Sequence, residues 1–194
     1  MCNISIQTYK DITARSYGVD TAYLLYDYWE IINSILYEGK LPPPLITFEN
    51  MTYGKALAVC YSDYGHIRIK RPSHKIAPEI NPDTISTLLH ENIHYAKPYL
   101  IEDYNFTVIP PKGADITSHN CPYWISEINR IHKFIIGEEL NANFSKVKRV
   151  EGVITRVSLG DLERKEVSCY PTKKRDIDLI YKYLTERLLS NPKK

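Results

Sequence analysis

The sequence lacks the motifs that identify most nucleotide-binding proteins and serine hydrolases. Its eight glycines form no G-x-x-x-x-G-K-[ST], G-x-G-x-x-G or G-x-S-x-G pattern. The chain also has no internal repeat and no low-complexity segment. The sequence therefore gives no motif evidence for a phosphate-binding glycine loop or for a serine nucleophile.

Cysteines and long apolar runs are also scarce. The four cysteines are scattered and form no C-x-x-C pair, which predicts reduced thiols rather than a disulfide framework or a zinc ribbon. No apolar run approaches the roughly 18 residues of a membrane span. Residues 1–7 have neither the basic region nor the apolar region of a signal peptide. We therefore expect a cytoplasmic protein with no membrane association.

The composition is that of a globular protein with an uneven charge distribution. The chain has 194 residues, of which 43% are hydrophobic and 25% charged, enough for one domain with or without a small appendage. Residues 1–145 hold 12 Lys and Arg against 16 Asp and Glu, whereas residues 146–194 hold 13 against 7. The basic character therefore belongs to the C-terminal quarter.

Hydrophobic periodicity predicts an α+β fold with a small antiparallel sheet. The predicted helices cover about 20–38, 82–96, 122–136 and 176–190, and the predicted strands cover 45–49, 55–61, 66–70, 152–159 and 163–170. We expect strands 55–61 and 66–70 to form one hairpin, and 152–159 and 163–170 another. Residues 1–18 show no clear periodicity, so we expect a short strand or a loosely held arm there. The long connection 97–118 is typical of a functional lid or a partly disordered loop.

One stretch carries recognisable chemistry, the sequence HENIH at residues 90–94. It is an H-E-x-x-H pattern within a predicted helix, where positions four apart lie about 40° apart around the axis and about 6 Å along it. His90 and His94 can therefore direct their imidazoles at one zinc ion, with Glu91 near enough to reach a water on the metal. The alternative is that both are ordinary, partly buried histidines of an amphipathic helix.

A catalytic zinc site needs a third protein ligand and an open fourth position. His119 is the best candidate, because it comes at the start of the helix that follows the long connection. Cys121, two residues later, is either a thiolate close to the metal or a buried thiol, and free cysteines are among the most buried residues.

These segments together resemble the SprT-like zinc metalloproteases, which include the Spartan proteins. The resemblance rests on residues 36–47, which match a helix end and the first strand, on the HENIH helix, and on His119 with residues 123–131, which match the helix of the third ligand. It covers roughly residues 20–136. It implies a gluzincin-like zinc peptidase core with His90, His94 and His119 as ligands of one zinc ion.

The resemblance also implies that Glu91 is the general base and that the substrates are proteins associated with DNA. We divide the chain accordingly into an N-terminal arm at 1–19, a metalloprotease core at 20–137 and a basic C-terminal appendage of a β-hairpin and a helix at 138–194. Two features depart from the family. The chain has no four-cysteine zinc ribbon, and Asn120 follows His119 where the family typically has glycine.

The C-terminal basic residues are candidates for contacts with single-stranded DNA. The alternative is a solvated charged surface. The six candidates are Lys146, Lys148, Arg149, Lys173, Lys174 and Arg175.

Three functions remain open from the sequence. The first is a zinc endopeptidase that hydrolyses DNA-associated or DNA-crosslinked proteins, and the second is the same protease dedicated to one protein partner without DNA. The third is a zinc-containing binding module without turnover, against which the intact Glu91 argues. The substrate and its cleavage preference, the oligomeric state and the oxyanion-stabilising residue have no signal in the sequence.

Overall fold

A computed structural model describes residues 4–51, 57–71, 79–100, 119–143, 145–150, 153–158, 170–171 and 173–190. The fold is mixed α and β, as predicted, with five helices and a three-stranded sheet among these residues. The helices are α1 (Ile6–Tyr17), α2 (Val19–Tyr37), α3 (Pro82–Leu100), α4 (Pro122–Ile136) and α5 (Lys174–Ser190). The strands are β1 (Leu45–Glu49), β2 (Ala58–Tyr61), β3 (His66–Lys70), β4 (Ser145–Val150) and β5 (Val153–Ser158). No helix of the described residues is long and apolar enough to cross a membrane.

The chain divides into two compact units, residues 1–99 with 180–194 and residues 100–179. The first unit contains the three-stranded sheet in the order β1-β3-β2. Strands β2 and β3 form the predicted antiparallel hairpin, but β1 runs parallel to β3. The sheet is therefore mixed rather than antiparallel. The central strand, β3, is the last of the three in the sequence, and β1 and β2 lie on either side of it.

Alternation along the strands gives the sheet one buried face. Ile46 and Phe48 of β1 and Ile67 and Ile69 of β3 are buried, whereas their neighbours are only partly covered. This two-residue period matches that of a half-buried strand. The alternation in the sequence thus located β1 and β3 correctly to the residue.

The expectation of a strand or an arm at residues 1–18 was wrong, because residues 6–17 form helix α1. Ser5 caps this helix by accepting a hydrogen bond from the Thr8 amide. Lys10 of α1 is almost fully buried and pairs with Asp27 and Glu30 of α2 at 3.2 and 3.1 Å. The buried face of α1 is polar rather than apolar, and hydrophobic periodicity therefore could not reveal it.

Helix α3 extends further than predicted, to Leu100 instead of about residue 96. It continues through Pro98, which lacks the amide that a regular helix would direct to the carbonyl of His94. A proline normally predicts a helix end, but here it falls within the last turn. The rest of the long connection, residues 101–118, lies outside the described residues, as does the predicted lid function.

The second unit holds α4, which has the predicted bounds, and the β4–β5 hairpin. In the hairpin, residues 145–150 pair with residues 153–158. The strand predicted at 152–159 is therefore present, but it pairs with a strand that comes before it in the sequence, which was not predicted. Residues 163–169 of the strand predicted at 163–170 lie outside the described residues. Two residues separate the strands in the sequence. The Asn129 side chain exchanges hydrogen bonds of 3.0 and 2.7 Å with the backbone of Ala142 and holds the loop after α4.

Candidate metal centre

Helix α3 carries the first part of the candidate site. Asn81 caps it by accepting a hydrogen bond of 2.9 Å from the Thr84 amide. Its buried face includes Ile85, Leu88, Leu89 and Ile93, which are fully buried and hold the helix in the core. His90 and His94 are half-buried on the same helix. The apolar face thus fixes the helix while the two imidazoles keep access to solvent.

The two histidines of α3 converge as the four-residue spacing predicts. Their ring centroids are 5.1 Å apart with an angle of 63° between the ring planes. His119, in the turn that precedes α4, also contributes a ring nitrogen to this group. The potential ligand atoms of the three histidines all lie within 4.8 Å of one another. His90, His94 and His119 are therefore close enough to bind one metal ion.

This group is distinctive within the described part of the chain, where no other three His, Cys, Asp or Glu side chains converge in this way. Three nitrogens around one point match a site with three histidine ligands and one open position. The donor set fits zinc, since imidazole is one of its preferred ligands.

Glu91 adds a carboxylate next to this group. Its side chain is 7% exposed, and Oε1 lies 3.9 Å from Nε2 of His90. Burial raises the pKa of Glu91 to about 8, and a hydrogen bond from the backbone of Cys60 opposes that rise. Burial therefore brings the pKa of Glu91 into the range where the side chain can exchange a proton near neutral pH.

The Cys60 amide reaches Glu91 because it points out of the sheet. In an antiparallel pair, residues alternate between positions that bond to the partner strand and positions that point away from it. Lys70 donates its backbone hydrogen bond to the Leu57 carbonyl, so residues 57, 59 and 61 bond to β3. Ala58 and Cys60 therefore direct their backbone groups away from β3, toward the edge of the sheet where Glu91 lies.

Two further side chains hold α3 in place around the HENIH motif. Asn92, which is fully buried, accepts a hydrogen bond of 3.2 Å from the indole of Trp29 on α2. The Tyr95 hydroxyl donates to the carbonyl of Pro42 at 2.9 Å, and burial raises the pKa of Tyr95. Both residues position the helix that carries His90 and His94.

Cys121 acts as the N-cap of α4. Its backbone is extended, with φ −93° and ψ 159°, and its Sγ accepts a hydrogen bond of 3.4 Å from the Trp124 amide. The side chain is buried. Of the two interpretations of Cys121, this geometry favours the buried thiol, since the sulfur already serves the helix terminus.

The six basic candidates have different surroundings. Lys146, Lys148 and Arg149 lie on β4. Residues 173–175 are exposed, but Lys174 pairs with Asp178 at 2.9 Å and Arg175 pairs with Glu138 at 2.7 Å. Arg175 also bonds Asp176, and these carboxylates raise its pKa. Two of the exposed cations are thus partly neutralised by acidic neighbours.

Reasoning from the sequence missed two contributors to the site. The Cys60 amide could not be found, because alternation shows which residues share a face of a sheet but not which strand lies at its edge. Trp124 was included only in the segment 123–131 that resembles the helix of the third ligand, with no role of its own, although its spacing of five residues from His119 was visible. No family model matches the chain, and neither do the curated proteins or the solved structures.

Proposed function

We propose that the chain is a zinc-dependent endopeptidase that acts on proteins associated with DNA. The observation that carries this proposal is the convergence of the His90, His94 and His119 ring nitrogens beside the buried carboxylate of Glu91. A purely structural metal site would have no use for an unligated carboxylate at its open position. The resemblance to SprT-like proteases supports the same conclusion from the order of the motifs.

The proposed mechanism assigns each residue one task. His90, His94 and His119 would hold the zinc ion, which would supply a Lewis acid to activate water and a substrate carbonyl. Glu91 removes a proton from the attacking water and delivers it to the leaving amine. The hydrogen bond from the Cys60 amide orients the Glu91 carboxylate and favours its charged form. A carboxylate with a raised pKa can both accept and return a proton near neutral pH.

The edge of the sheet suggests how a protein substrate would bind. Among the described strands, β2 has β3 as its single partner, so its other side can pair with an extended peptide. The outward backbone groups of Ala58 and Cys60 lie on that side, the latter next to Glu91. An unfolded or extended segment bound there would be held with its backbone close to the general base.

DNA dependence rests on the basic C-terminal quarter. Lys173 is exposed there, with Lys174 and Arg175 beside it. The ion pairs of Lys174 and Arg175 with Asp178 and Glu138 favour a second candidate, a protease of the same chemistry that recognises one protein partner without DNA.

The test is cleavage by the zinc-loaded protein with and without single-stranded DNA, using a DNA-binding basic protein as substrate and self-cleavage as a second readout. Glu91→Gln is the matched control, and we expect it to lower the rate by about 10²–10⁴-fold while zinc stays bound. Cleavage that requires both Glu91 and DNA supports the proposal. Cleavage indifferent to DNA supports the dedicated protease, and zinc binding without cleavage of either substrate supports the non-catalytic module.

A further inference from the structure

We propose that Trp124 is a positioning residue for His119, the metal ligand that no helix holds. This inference rests on the proposed metal centre and adds a residue to it. Trp124 lies on the first turn of α4 and is fully buried. Its ring centroid lies 4.9 Å from that of His119, and the two ring planes are nearly perpendicular at 87°.

The geometry is that of an edge-to-face aromatic pair. Such pairs prefer centroid separations between about 4.5 and 7 Å, and their attraction adds to that of simple apolar burial. The contact is selective for one orientation of the imidazole, because rotation of His119 about its side-chain torsions would break the perpendicular arrangement. The indole therefore restricts His119 to a subset of its rotamers.

The indole can fix the imidazole only because Trp124 is fixed itself. Its backbone amide bonds to the sulfur of Cys121, and the next amide, that of Ile125, bonds to the Cys121 carbonyl at 3.1 Å. Pro122 at the first helical position presets the backbone torsion of the turn. The four residues from His119 to Pro122 thus form a short connection to a helix start that is closed by two hydrogen bonds.

The three histidines differ in how much they need this support. His90 and His94 project from the middle of α3, where the helical backbone restricts their side-chain torsions. His119 lies in a turn, and an imidazole that is free to rotate would lose conformational entropy when it binds a metal. Because packing against Trp124 already restricts the His119 ring in the metal-free protein, less conformational entropy is lost when the metal binds. The attraction within such an aromatic pair corresponds to a change of about 2–10-fold in metal affinity when the ring is removed.

Zinc affinity of the full-length chain, measured by competition with a chromogenic chelator, tests the inference. We expect Trp124→Leu, which keeps an apolar side chain but has no ring, to weaken zinc binding by about 2–10-fold. Trp124→Phe restores a ring that can meet His119 edge to face, so its affinity should recover most of the loss. Ile128→Ala removes a fully buried side chain one turn later on α4 and is the matched control. It should lower the melting temperature without weakening zinc binding to the folded protein.

The metal-free protein gives an independent readout. In proton–carbon NMR spectra of the histidine rings, the His119 signals should carry a ring-current shift from Trp124 that Trp124→Leu abolishes. Unchanged zinc affinity in folded Trp124→Leu would overturn the inference, as would a wild type that binds no zinc. If zinc binding depends on Trp124 but no protein is cleaved, the inference stands and the proposed protease function fails.

Discussion

The two edges of the three-stranded sheet are closed by groups of different chemistry. At the β1 edge, the Thr13 hydroxyl donates to the Ile46 carbonyl at 2.8 Å, and the Tyr26 hydroxyl accepts from the Ile46 amide at 3.0 Å. The Tyr17 hydroxyl donates to the carbonyl of Phe48. Helices α1 and α2 thus supply neutral hydroxyls to backbone groups that a further strand would otherwise pair with.

At the β2 edge, the group that meets the backbone is the carboxylate of Glu91. Tyr26 and Glu91 are both buried, yet burial has different consequences for them. It raises the pKa of Tyr26 to about 12, so this hydroxyl stays protonated and serves only as a hydrogen-bonding group. It raises the pKa of Glu91 to about 8, within the range where the side chain can gain or lose a proton.

The two edges differ in which groups meet their backbone, and the β2 edge is the one next to the candidate metal centre. An unpaired strand edge is a site for association with other chains, and proteins usually cover it. The hydroxyls of Thr13, Tyr17 and Tyr26 bond to the backbone at the β1 edge. A single carboxylate covers little of the β2 edge, and it stands beside three convergent histidines. Substitutions at the two edges should therefore affect different properties of the protein.

The largest expected effect is the stabilisation of the folded protein by zinc, which should depend on residues near the β2 edge and not on residues at the β1 edge. Free zinc at about a thousand times its Kd should raise the free energy of unfolding by about 4 kcal/mol, because the metal binds the folded chain. His94→Ala should abolish this increment, whereas Tyr26→Phe at the β1 edge should retain it. Urea unfolding at buffered zinc concentrations measures both. An equal increment in His94→Ala would contradict the assignment of His94 as a ligand.

Next in size is the loss of a hydroxyl at the β1 edge. Tyr26→Phe leaves the Ile46 amide and the Pro44 carbonyl without the hydroxyl that bonds both, and should cost about 1–3 kcal/mol of stability. The rate of cleavage per folded molecule should not change. Tyr23→Phe on the same helix is the control, because among the described residues its hydroxyl accepts a hydrogen bond only from the exposed Gln7 side chain. A similar loss in both variants would show that the edge contact is not special.

The sequence predicted the β2 side of this comparison better than the β1 side. The HENIH spacing sufficed to bring His90 and His94 together, since a single helix with a fixed repeat determines their relative positions. The β1 edge depends on Thr13 and Tyr17 of a helix whose buried face is polar, and a polar face leaves no hydrophobic period to detect. The parallel direction of β1 was also not predictable, because alternation is identical in parallel and antiparallel strands.

Contacts distant in sequence were the other part that could not be predicted. His119 was identified from its place before a helix, but its approach to the α3 histidines depends on the path of residues 95–118, which no local pattern specifies. The same holds for Cys60 and Glu91, which are 31 positions apart in the sequence. The hairpin at 145–158 was missed in part because a basic run, Lys146 to Arg149, obscured the alternation of β4.

A proline at the β2 edge can separate the functional hydrogen bond from the sheet itself. Cys60→Pro removes the amide that bonds Glu91 but no hydrogen bond to β3, so the cleavage rate should fall by about tenfold, which is typical for the loss of one bond to a charged group. Cys60→Ala keeps the amide and controls for the loss of the thiol. Val59→Pro removes a ladder bond and should instead reduce stability. Equal rates for Cys60→Pro and Cys60→Ala would exclude a role for the amide.

The smallest expected effect concerns Cys121, and it distinguishes a structural role as a helix cap from a role as a metal ligand. If its sulfur serves only as a helix cap, it resembles the hydroxyls of the β1 edge, and Cys121→Ser should preserve both stability and zinc affinity. Cys121→Ala should cost about 1 kcal/mol of stability through loss of the cap, again with zinc affinity unchanged. A thiolate ligand would behave differently, because both variants would then weaken zinc binding. Chelator competition on the two variants distinguishes these outcomes, since only a ligand couples position 121 to the metal.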